Sequence, residues 1–480
     1  MLKRQAYLFR PALFLCLFFL LGLLFVPECD DCYFVYWRFA SWKDMLLTRP
    51  ITEGLPVVGV PANGRYLGNL LGVLQGKLYF TPLGFLRGLL LGSALVGLTV
   101  LLGRHFSWED SRGKEGLALA FSLVALAPRG VWQQVYAWGA GFVNYLLPMI
   151  GILILLELLQ RKQPIPWQCF VAGLCSCLFL EPVTILLCLG GLAFAFYVFV
   201  WDRERWPTAL STVLGTVLGA AVMFTHPGYS QVGSDTRSIG LELMGRNFNV
   251  IMIDTLVRPA AVSLFISILL VWLLRKQGGE WRPWAVLLTP IHLLCLADTL
   301  LDCFRDYGAY TTKRMVLACA LALIWLVLLA QWRERRVRFQ VLVGVLALCV
   351  LNGPLLVVSP VESRNLFPSY VVLILIMALL WKEARKQGFL PLKWAWLPGV
   401  VACTLLLGVY GANFLVYHQR LDSAQLQRDE GIQEINLPLV PFTGWAINEQ
   451  QSKGDICYLV YREEPWDVTF HFAPYRDFKR

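Results

Sequence analysis

Long apolar blocks separated by short polar segments are the main feature of this chain. Most of the blocks are about 18–20 residues long, which is the length that an α-helix needs to cross the hydrocarbon core of a bilayer. The pattern predicts an all-α integral membrane protein with about thirteen transmembrane helices. The blocks lie at residues 11–27, 83–102, 115–128, 143–160, 167–181, 182–201, 207–225, 258–274, 283–300, 315–332, 339–358, 369–381 and 394–416.

Local sequence features decide how the first block and the stretch of residues 167–201 are interpreted. Basic residues precede the first block, as in a signal peptide, but no small-residue cleavage site follows it, so we expect a retained first helix. Glu181 and Pro182 divide the apolar stretch of residues 167–201. Because proline removes a backbone donor and a carboxylate is costly inside a membrane, two helices are predicted there.

Basic residues are distributed unequally between the two sets of loops. If the N-terminus is cytoplasmic, the short loops on that side hold 18 Lys and Arg, and the short outer loops hold five. Cytoplasmic loops carry the excess of basic residues in membrane proteins, so a cytoplasmic N-terminus is predicted. The five outer residues are Arg129, Arg305, Lys313, Arg314 and Arg364.

Composition agrees with this class and excludes others. Apolar residues make up 57% of the chain and charged residues 15%, whereas soluble domains average about 45–50% and about 25%. The basic loops account for the formal charge of +10, so no nucleic-acid binding is expected. The chain also lacks a Walker A loop, an HExxH zinc motif and a Gly-x-Ser-x-Gly elbow.

Three long segments lie on the outer side of the predicted topology, at residues 28–82, 226–257 and about 417–480. Residues 28–82 form the first external loop, with predicted amphipathic helices at residues 33–47 and 67–78. We predict a transmembrane domain over residues 1–416 and a small external C-terminal segment over residues 417–480.

Polar residues that the membrane pattern does not require lie almost entirely on the outer side. Asp30 and Asp31 directly follow the first helix. Adjacent carboxylates can supply a general base, since one raises the pKa of the other, and they can also hold a divalent cation. A solvated helix end is the structural alternative for this pair.

A second motif, Asn63-Gly64-Arg65-Tyr66, begins the second amphipathic helix. Asn63 is a good helix cap, which explains part of the motif structurally. Capping does not require Arg65. Its guanidinium could pair with the acidic residues or bind a phosphate through two hydrogen bonds.

The outer loop at residues 132–148 is rich in aromatic and amide side chains, among them Trp138, Asn144 and Tyr145. Such residues suit stacking on a sugar and hydrogen bonding to it, and they equally suit an interfacial aromatic belt. Glu181, at the next outer helix end, is either a site residue or the salt-bridge partner of an outer arginine.

In this order the motifs resemble those of bacterial polytopic glycosyltransferases of the GT-C superfamily, and the likeness covers residues 1–416. It is closest to a poorly characterised family, and is similar to transferases that add side-chain sugars to O-antigen or cell-wall glycans. The shared features are the acidic pair Asp30-Asp31, the helix start Asn63-Gly64-Arg65, the Asn-Tyr-x-x-Pro sequence at Asn144, the carboxylate Glu181 and the late pair Arg364-Asn365.

This resemblance implies a GT-C-like helix bundle and an inverting, hexosyltransferase-type reaction in polysaccharide biosynthesis. The donor would be a sugar on a polyprenyl phosphate, such as undecaprenyl phosphate, and the acceptor a cell-envelope glycan. The reaction would take place on the outer face of the bacterial cytoplasmic membrane. No cofactor is required, because arginine can neutralise the departing phosphate, and a divalent cation is compatible.

The same resemblance assigns roles to individual residues. Asp30 or Asp31 would be the general base for the acceptor hydroxyl. The donor phosphate would be bound by Arg65, Arg364 and Arg246. The sugar and the acceptor would be bound by Asn63, Tyr66, Trp138, Asn144, Tyr145 and Glu181.

Two other functions are compatible with outward polar clusters. A polymerase that joins lipid-linked repeat units would need two lipid-phosphate sites, and the surplus of outer arginines allows this. A lipid or polysaccharide transporter would show inverted repeats and broken helices with polar residues near the membrane midplane. Neither feature is evident in the sequence.

Overall fold

A helix lies in every apolar block of the sequence, so the predicted all-α class is confirmed. The computed structural model describes residues 2–28, 31, 63–79, 81–107, 114–226, 229, 238–304, 311–390, 392–446 and 469–475. Its main helices, numbered α1 to α15 in chain order, are Leu2–Leu24, Tyr66–Tyr79, Gly84–Phe106, Lys114–Ala125, Gly139–Gln160, Pro166–Ser176, Glu181–Trp201, Trp206–Phe224, Met244–Met252, Ala260–Lys276, Arg282–Phe304, Thr312–Gln331, Arg335–Asn352, Ser363–Lys386 and Leu397–Asp429.

The chain is a multi-pass membrane protein. Within the described residues, nine helices are long and apolar enough to cross a bilayer. A tenth candidate is the pair Leu241–Val257 and Ala260–Lys276, which is bent by 66°. The predicted number of thirteen spans is not confirmed, because α4 has 12 residues and α6 has 11. Helices of that length extend only about 16–18 Å.

Loops predicted to share a side of the membrane contact one another. Arg385 lies 3.6 Å from Glu115, and both belong to the predicted cytoplasmic side. Arg129 lies 3.7 Å from Asp302, and both belong to the other side. We call the end of the bundle that holds Arg129 the outer end and the end that holds Glu115 the inner end. The short helix α4 therefore belongs to a segment that connects the two ends.

α14 lies at the centre of the bundle. It is the most buried of the candidate spans and packs against α3, α10 and α13. Phe367 and Trp381 on this helix are almost completely buried. By contrast, α11 and α13 are peripheral, and their exposed apolar side chains form the surface that hydrocarbon would cover in a bilayer.

α1 and α3 approach each other closely at glycines. A Cβ atom on Gly22 would collide with the carbonyl oxygen of Gly88, and one on Gly92 would lie 2.7 Å from the Cα atom of Phe19. Small residues let helix backbones approach in this way inside a membrane. The contact places the outer end of α1, and with it Asp31, beside α3.

One of the two helices predicted in the first external loop is confirmed. α2 covers the region predicted at residues 67–78, and the backbone N–H of Leu67 donates to the carbonyl oxygen of Leu178 at 3.2 Å. The other prediction, at residues 33–47, lies outside the described residues. α2 is thus held against the outer end of α6.

Two small sheets lie at the ends of helices. β1 and β2 are antiparallel, and β3 and β4 are parallel. The side chain of Asn413 on α15 donates to the carbonyl oxygen of Phe442 and accepts its N–H, so the C-terminal segment is held on α15. The strands are Ser238–Ile239, Val358–Ser359, Glu434–Pro438 and Thr469–Ala473.

Candidate active site

The Asn-Gly-Arg motif forms a tight turn before α2. Asn63 Oδ1 accepts the backbone N–H of Arg65 at 3.0 Å and the side-chain N–H of Asn69 at 3.3 Å. Gly64 packs on the end of α8, where a Cβ atom would collide with the carbonyl oxygen of Met223. Asn63 thus forms the turn before α2 and is not the cap predicted from the sequence, because Arg65 accepts the first backbone bond of the helix, and the turn orients Arg65.

Arg65 forms a salt bridge with Glu181 at the N-terminus of α7. The Nη2 atom lies 2.7 Å from Oε2, and the Nε atom lies 3.1 Å from both carboxylate oxygens. The Tyr229 hydroxyl donates to Oε1 at 2.7 Å. Burial lowers the pKa of Arg65, but the interactions with Glu181, Tyr145 and Tyr229 together outweigh it and the pKa rises above its ordinary value. The salt-bridge alternative for Glu181 is thus confirmed.

Asn144 and Tyr145 lie in a π-helical stretch near the start of α5. The guanidinium carbon of Arg65 lies 5.9 Å from the centre of the Tyr145 ring. Asn144 Nδ2 donates to the Ala140 carbonyl at 2.9 Å, and Asn144 Oδ1 is buried with no hydrogen-bond partner among the described residues. A Cβ atom on Gly68 would collide with that oxygen. A buried acceptor without a partner is costly and is typical of a site that receives a ligand donor.

Arg364 and Trp138 meet on the other side of this loop. The guanidinium carbon of Arg364 lies 5.1 Å from the centre of the Trp138 ring, and Nη2 lies 3.3 Å from Glu362 Oε2. The backbone N–H of Arg364 donates to Gln134 Oε1 at 3.2 Å. The Arg364 side chain is 20% exposed, so it remains accessible to a ligand. It lies in the first turn of α14, where the helix dipole favours anions, and Glu362 caps this turn.

Asp31 is almost completely buried and makes four polar contacts. Its carboxylate accepts the backbone N–H groups of Ala140 at 2.7 Å, Gly139 at 3.0 Å and Glu28 at 3.4 Å. Arg87 Nη2 lies 3.3 Å from Oδ2. Burial raises the pKa of Asp31, and Arg87 and the three N–H groups act in the opposite direction. These contacts cap the start of α5, the helix that carries Asn144.

The remaining predicted residues are less closely joined. The rings of Tyr66 and His226 lie 5.4 Å apart, and burial raises the pKa of Tyr66. Arg246 is exposed on α9, and no contact joins it to the other predicted residues in the part of the chain that the structure describes. Asp30 lies outside the described residues. The structure therefore brings together Arg65, Glu181, Asn144, Tyr145, Trp138 and Arg364.

Several residues at this end were missed by the sequence analysis. Arg87 Nε donates to Gln75 Oε1 at 2.7 Å, and Arg87 Nη1 donates to the Phe25 carbonyl at 2.8 Å. An arginine inside an apolar block was the available signal for this residue. Tyr229 carried no comparable signal, because it becomes relevant only through its contact with Glu181.

A buried charged cluster also escaped prediction. Asp254 lies in a π-helical stretch before α10, 2.8 Å from Arg258, and accepts the Ser363 hydroxyl at 2.7 Å. π-Helical stretches often occur at functional sites. Because Ser363 directly precedes Arg364, this cluster is continuous with the site. The spacing of four between Asp254 and Arg258 was the available signal.

An apolar cavity of about 350 Å³ lies between α10, α12, α13 and α14. Its outer end is formed by Thr255 and Asn352, and its walls extend inward to Leu329 and Val341. Thr255 is the neighbour of Asp254, so the cavity begins beside the charged cluster. The cavity follows α13 for about 16 Å, from Asn352 to Val341.

No group of three or more His, Cys, Asp or Glu side chains is placed to hold a metal ion in the described parts of the chain. The cation site predicted at the acidic pair includes Asp30, which lies outside the described residues. The positive charge available at the site comes from arginine side chains, of which Arg364 is the more accessible and Arg65 is neutralised by Glu181.

Comparisons with known proteins identify no relative of this chain. No protein-family model, curated protein or solved structure matches the chain.

Proposed function

We propose that this protein is an inverting membrane glycosyltransferase. It transfers a sugar from a polyprenyl-phosphate donor to a cell-envelope glycan on the outer face of the cytoplasmic membrane. The observation that carries the proposal is the convergence of Arg65, Tyr145, Trp138 and Arg364 at one end of the bundle, beside an apolar cavity. A lipid-linked sugar phosphate needs a cationic group, aromatic surfaces and an apolar groove in this arrangement.

Arg364 is the donor-phosphate ligand in this proposal. Its guanidinium is partly exposed, and the N-terminus of α14 adds positive potential at the same place. Arg65 has a different role, because it is more buried than Arg364 and holds Glu181 at 2.7–3.1 Å, whereas Arg364 lies 3.3 Å from the more exposed Glu362. It holds α2 against α7 and orients the Tyr145 ring. Arg246, exposed on α9, has no assigned role in this arrangement.

The apolar cavity suits the hydrocarbon chain of the donor. It starts at Thr255, and the contacts from Asp254 to Ser363 lead directly to Arg364. A chain in this cavity would therefore place its phosphate near Arg364. The apolar walls supply affinity through buried area, while Arg364 supplies the orientation.

The sugar is proposed to lie between Trp138 and Tyr145. Aromatic faces stack on the C–H face of a sugar ring, and the unpaired Oδ1 atom of Asn144 would accept a sugar hydroxyl. In the reaction, a base removes the proton of the acceptor hydroxyl. The acceptor oxygen then bonds to the anomeric carbon on the face opposite the phosphate. The bond between that carbon and the phosphate oxygen breaks, and the lipid phosphate leaves with the electron pair.

The two members of the acidic pair, Asp30 and Asp31, are proposed to have different roles. Asp31 positions the start of α5, because its oxygens are occupied by Gly139, Ala140 and Arg87. Asp30 is then the base. A divalent cation is not required by this scheme, since arginine stabilises the departing phosphate.

Glycan analysis of a deletion strain tests the proposal. The strain is complemented with wild type, Arg364→Gln, Arg364→Lys or Arg203→Gln. Arg203 is an exposed arginine at the inner end and serves as the control. We expect wild type and the control to restore one side-chain sugar. Loss of a single preorganised donor typically lowers turnover about 10²–10³-fold, so Arg364→Gln should not restore it.

The outcomes separate the competing functions. Arg364→Lys keeps the charge but not the planar fork, and should restore the sugar only in part. If Arg364→Gln fully restores the side-chain sugar at equal abundance in the membrane, Arg364 does not take part in the reaction. Shortened glycan chains in the deletion strain would instead favour a polymerase. Loss of the whole glycan from the surface would favour a transporter.

A further inference from the structure

A second cavity, of about 260 Å³, lies toward the inner end of the bundle between α10 and α11. Its walls are mainly apolar and include Leu264, Ile268, Val271 and Leu288. Along α10 it extends from Leu264 to Arg275, which corresponds to about 16 Å. An elongated apolar space of this length matches a hydrocarbon chain lying parallel to the helices.

The inner mouth of this cavity combines arginine, lysine and tryptophan. Arg275 lines the cavity, and its guanidinium carbon lies 5.1 Å from the centre of the Trp281 ring. The Lys276 ammonium lies 5.2 Å from the ring of Trp272, which also lines the cavity. Tryptophan and basic residues together mark the membrane–water interface. The mouth therefore lies at the level of lipid headgroups.

The charge of this mouth is positive. Between residues 275 and 282 there are three basic side chains, including the exposed Arg282, and one acidic side chain, Glu280. Basic pockets between transmembrane helices bind anionic headgroups, and each nearby cation adds to the attraction. A neutral lipid would gain nothing from this excess of charge.

A hydrogen-bonded pair lines the outer part of the cavity. His292 Nε2 lies 2.8 Å from Ser267 Oγ, which also accepts the indole N–H of Trp325 on α12 at 2.8 Å. Thr289 and Ala285 on α11 form the side wall. A chain that enters from the bilayer would therefore lie along α10 and α11 and pass the His292–Ser267 pair.

We propose that this cavity binds an anionic phospholipid of the leaflet that faces the inner end. The phosphate lies at Arg275, Lys276 and Arg282, and one acyl chain fills the apolar space between α10 and α11. This site is independent of the proposed transfer reaction, which takes place at the opposite end of the bundle. Its occupant stabilises the α10–α11 pair by filling the space that separates the two helices.

Thermal unfolding of the full-length protein in detergent tests the proposal. Dioleoylphosphatidylglycerol is the anionic probe, and dioleoylphosphatidylcholine is the neutral one. One variant combines Arg275→Gln, Lys276→Gln and Arg282→Gln. A matched control combines Arg203→Gln, Arg335→Gln and Arg336→Gln, which removes the same charge at the same end but away from the cavity. A third variant, Ala285→Phe, fills the cavity without a change in charge.

We expect the anionic lipid to raise the unfolding temperature of wild type and of the control variant at lower concentration than the neutral lipid. The apparent affinity should fall about fivefold for each cation removed at the mouth. Ala285→Phe should abolish the preference. Equal responses to both lipids in wild type would overturn the proposal, as would equal losses in the two triple variants. If the triple variant at the mouth does not fold, the Ala285→Phe variant provides the test. A retained preference for the anionic lipid in Ala285→Phe would overturn the proposal.

Discussion

At the residue scale, Asp31 joins three segments of the outer end. Its carboxylate binds the N–H groups at the start of α5 and the Arg87 side chain from α3, and it follows α1 in the chain. Negative charge at a helix N-terminus and a buried guanidinium partner both stabilise the ionised carboxylate. The position of Asn144 and Tyr145 depends on this contact, because they lie in the same helix.

Replacement of Asp31 by Asn tests its positioning role. The substitution removes the Asp31 carboxylate from its buried ion pair with Arg87, and breaking a buried pair typically destabilises a protein by about 3–5 kcal/mol. We expect a clearly lower unfolding temperature in detergent. Asp429→Asn is the control, because Asp429 is exposed at the end of α15 and surface substitutions usually change stability by less than about 0.5 kcal/mol. Similar unfolding temperatures for the two variants would argue against a positioning role for Asp31.

The sequence predicted which residues could form a site, but it did not predict which side chains these residues contact. Arg65, Trp138, Asn144, Tyr145 and Arg364 stood out because the membrane pattern did not require them, and they lie together. The partner of Arg65 is Glu181, 116 positions away. The sequence around Arg65 does not show whether this residue pairs with Glu181 or with the acidic pair. Only the position of α2 relative to α7 in the fold decides the partner.

At the element scale, the close contact of α1 and α3 determines where the first external loop begins. Gly22, Gly88 and Gly92 remove the side chains that would otherwise separate the two backbones. In a membrane such contacts replace the hydrophobic effect as the source of helix association. Asp31 and Arg87, one on each side of this contact, depend on it for their separation of 3.3 Å.

A pair of alanine substitutions on α3 tests this contact. In Gly88→Ala the new Cβ atom would lie 2.8 Å from the Cα atom of Leu23, so the helices must separate. Overpacking of this kind costs about 1–3 kcal/mol. Gly97→Ala has open space around it and should be neutral or stabilising, since alanine favours helix. We expect only Gly88→Ala to lower the unfolding temperature; equal effects would contradict the close packing.

Hydropathy predicted where the helices lie. It did not predict which of these helices are long enough to cross the bilayer. Every apolar block contains a helix, because continuous apolar stretches leave the backbone no other way to pair its polar groups in a membrane. α4 and α6 are nevertheless too short to cross alone. Their length is set by polar neighbours such as Glu115 and by turns before the outer end, which a hydropathy pattern does not resolve.

At the scale of the whole molecule, the bundle has two ends with different chemistry. The outer end collects buried ion pairs, amides and aromatic rings around Arg364, and the apolar cavity begins there. The short loops of the inner end carry 18 Lys and Arg residues against five at the outer end, and the smaller cavity lies toward the inner end between α10 and α11. This division is consistent with lipid-linked chemistry at the outer end and lipid anchoring at the inner end.

Sugar release from a lipid donor is the most direct test of the proposed transferase. Purified full-length protein is supplied with polyprenyl-phosphate hexoses and with envelope glycan from the deletion strain. We predict that wild type releases polyprenyl phosphate from one donor only when the glycan is present, with the sugar appearing on the glycan in inverted configuration. Arg364→Gln should be at least about 10²-fold slower. Folded wild type that releases no phosphate from any such donor, or Arg364→Gln that matches its rate, would contradict the proposed site.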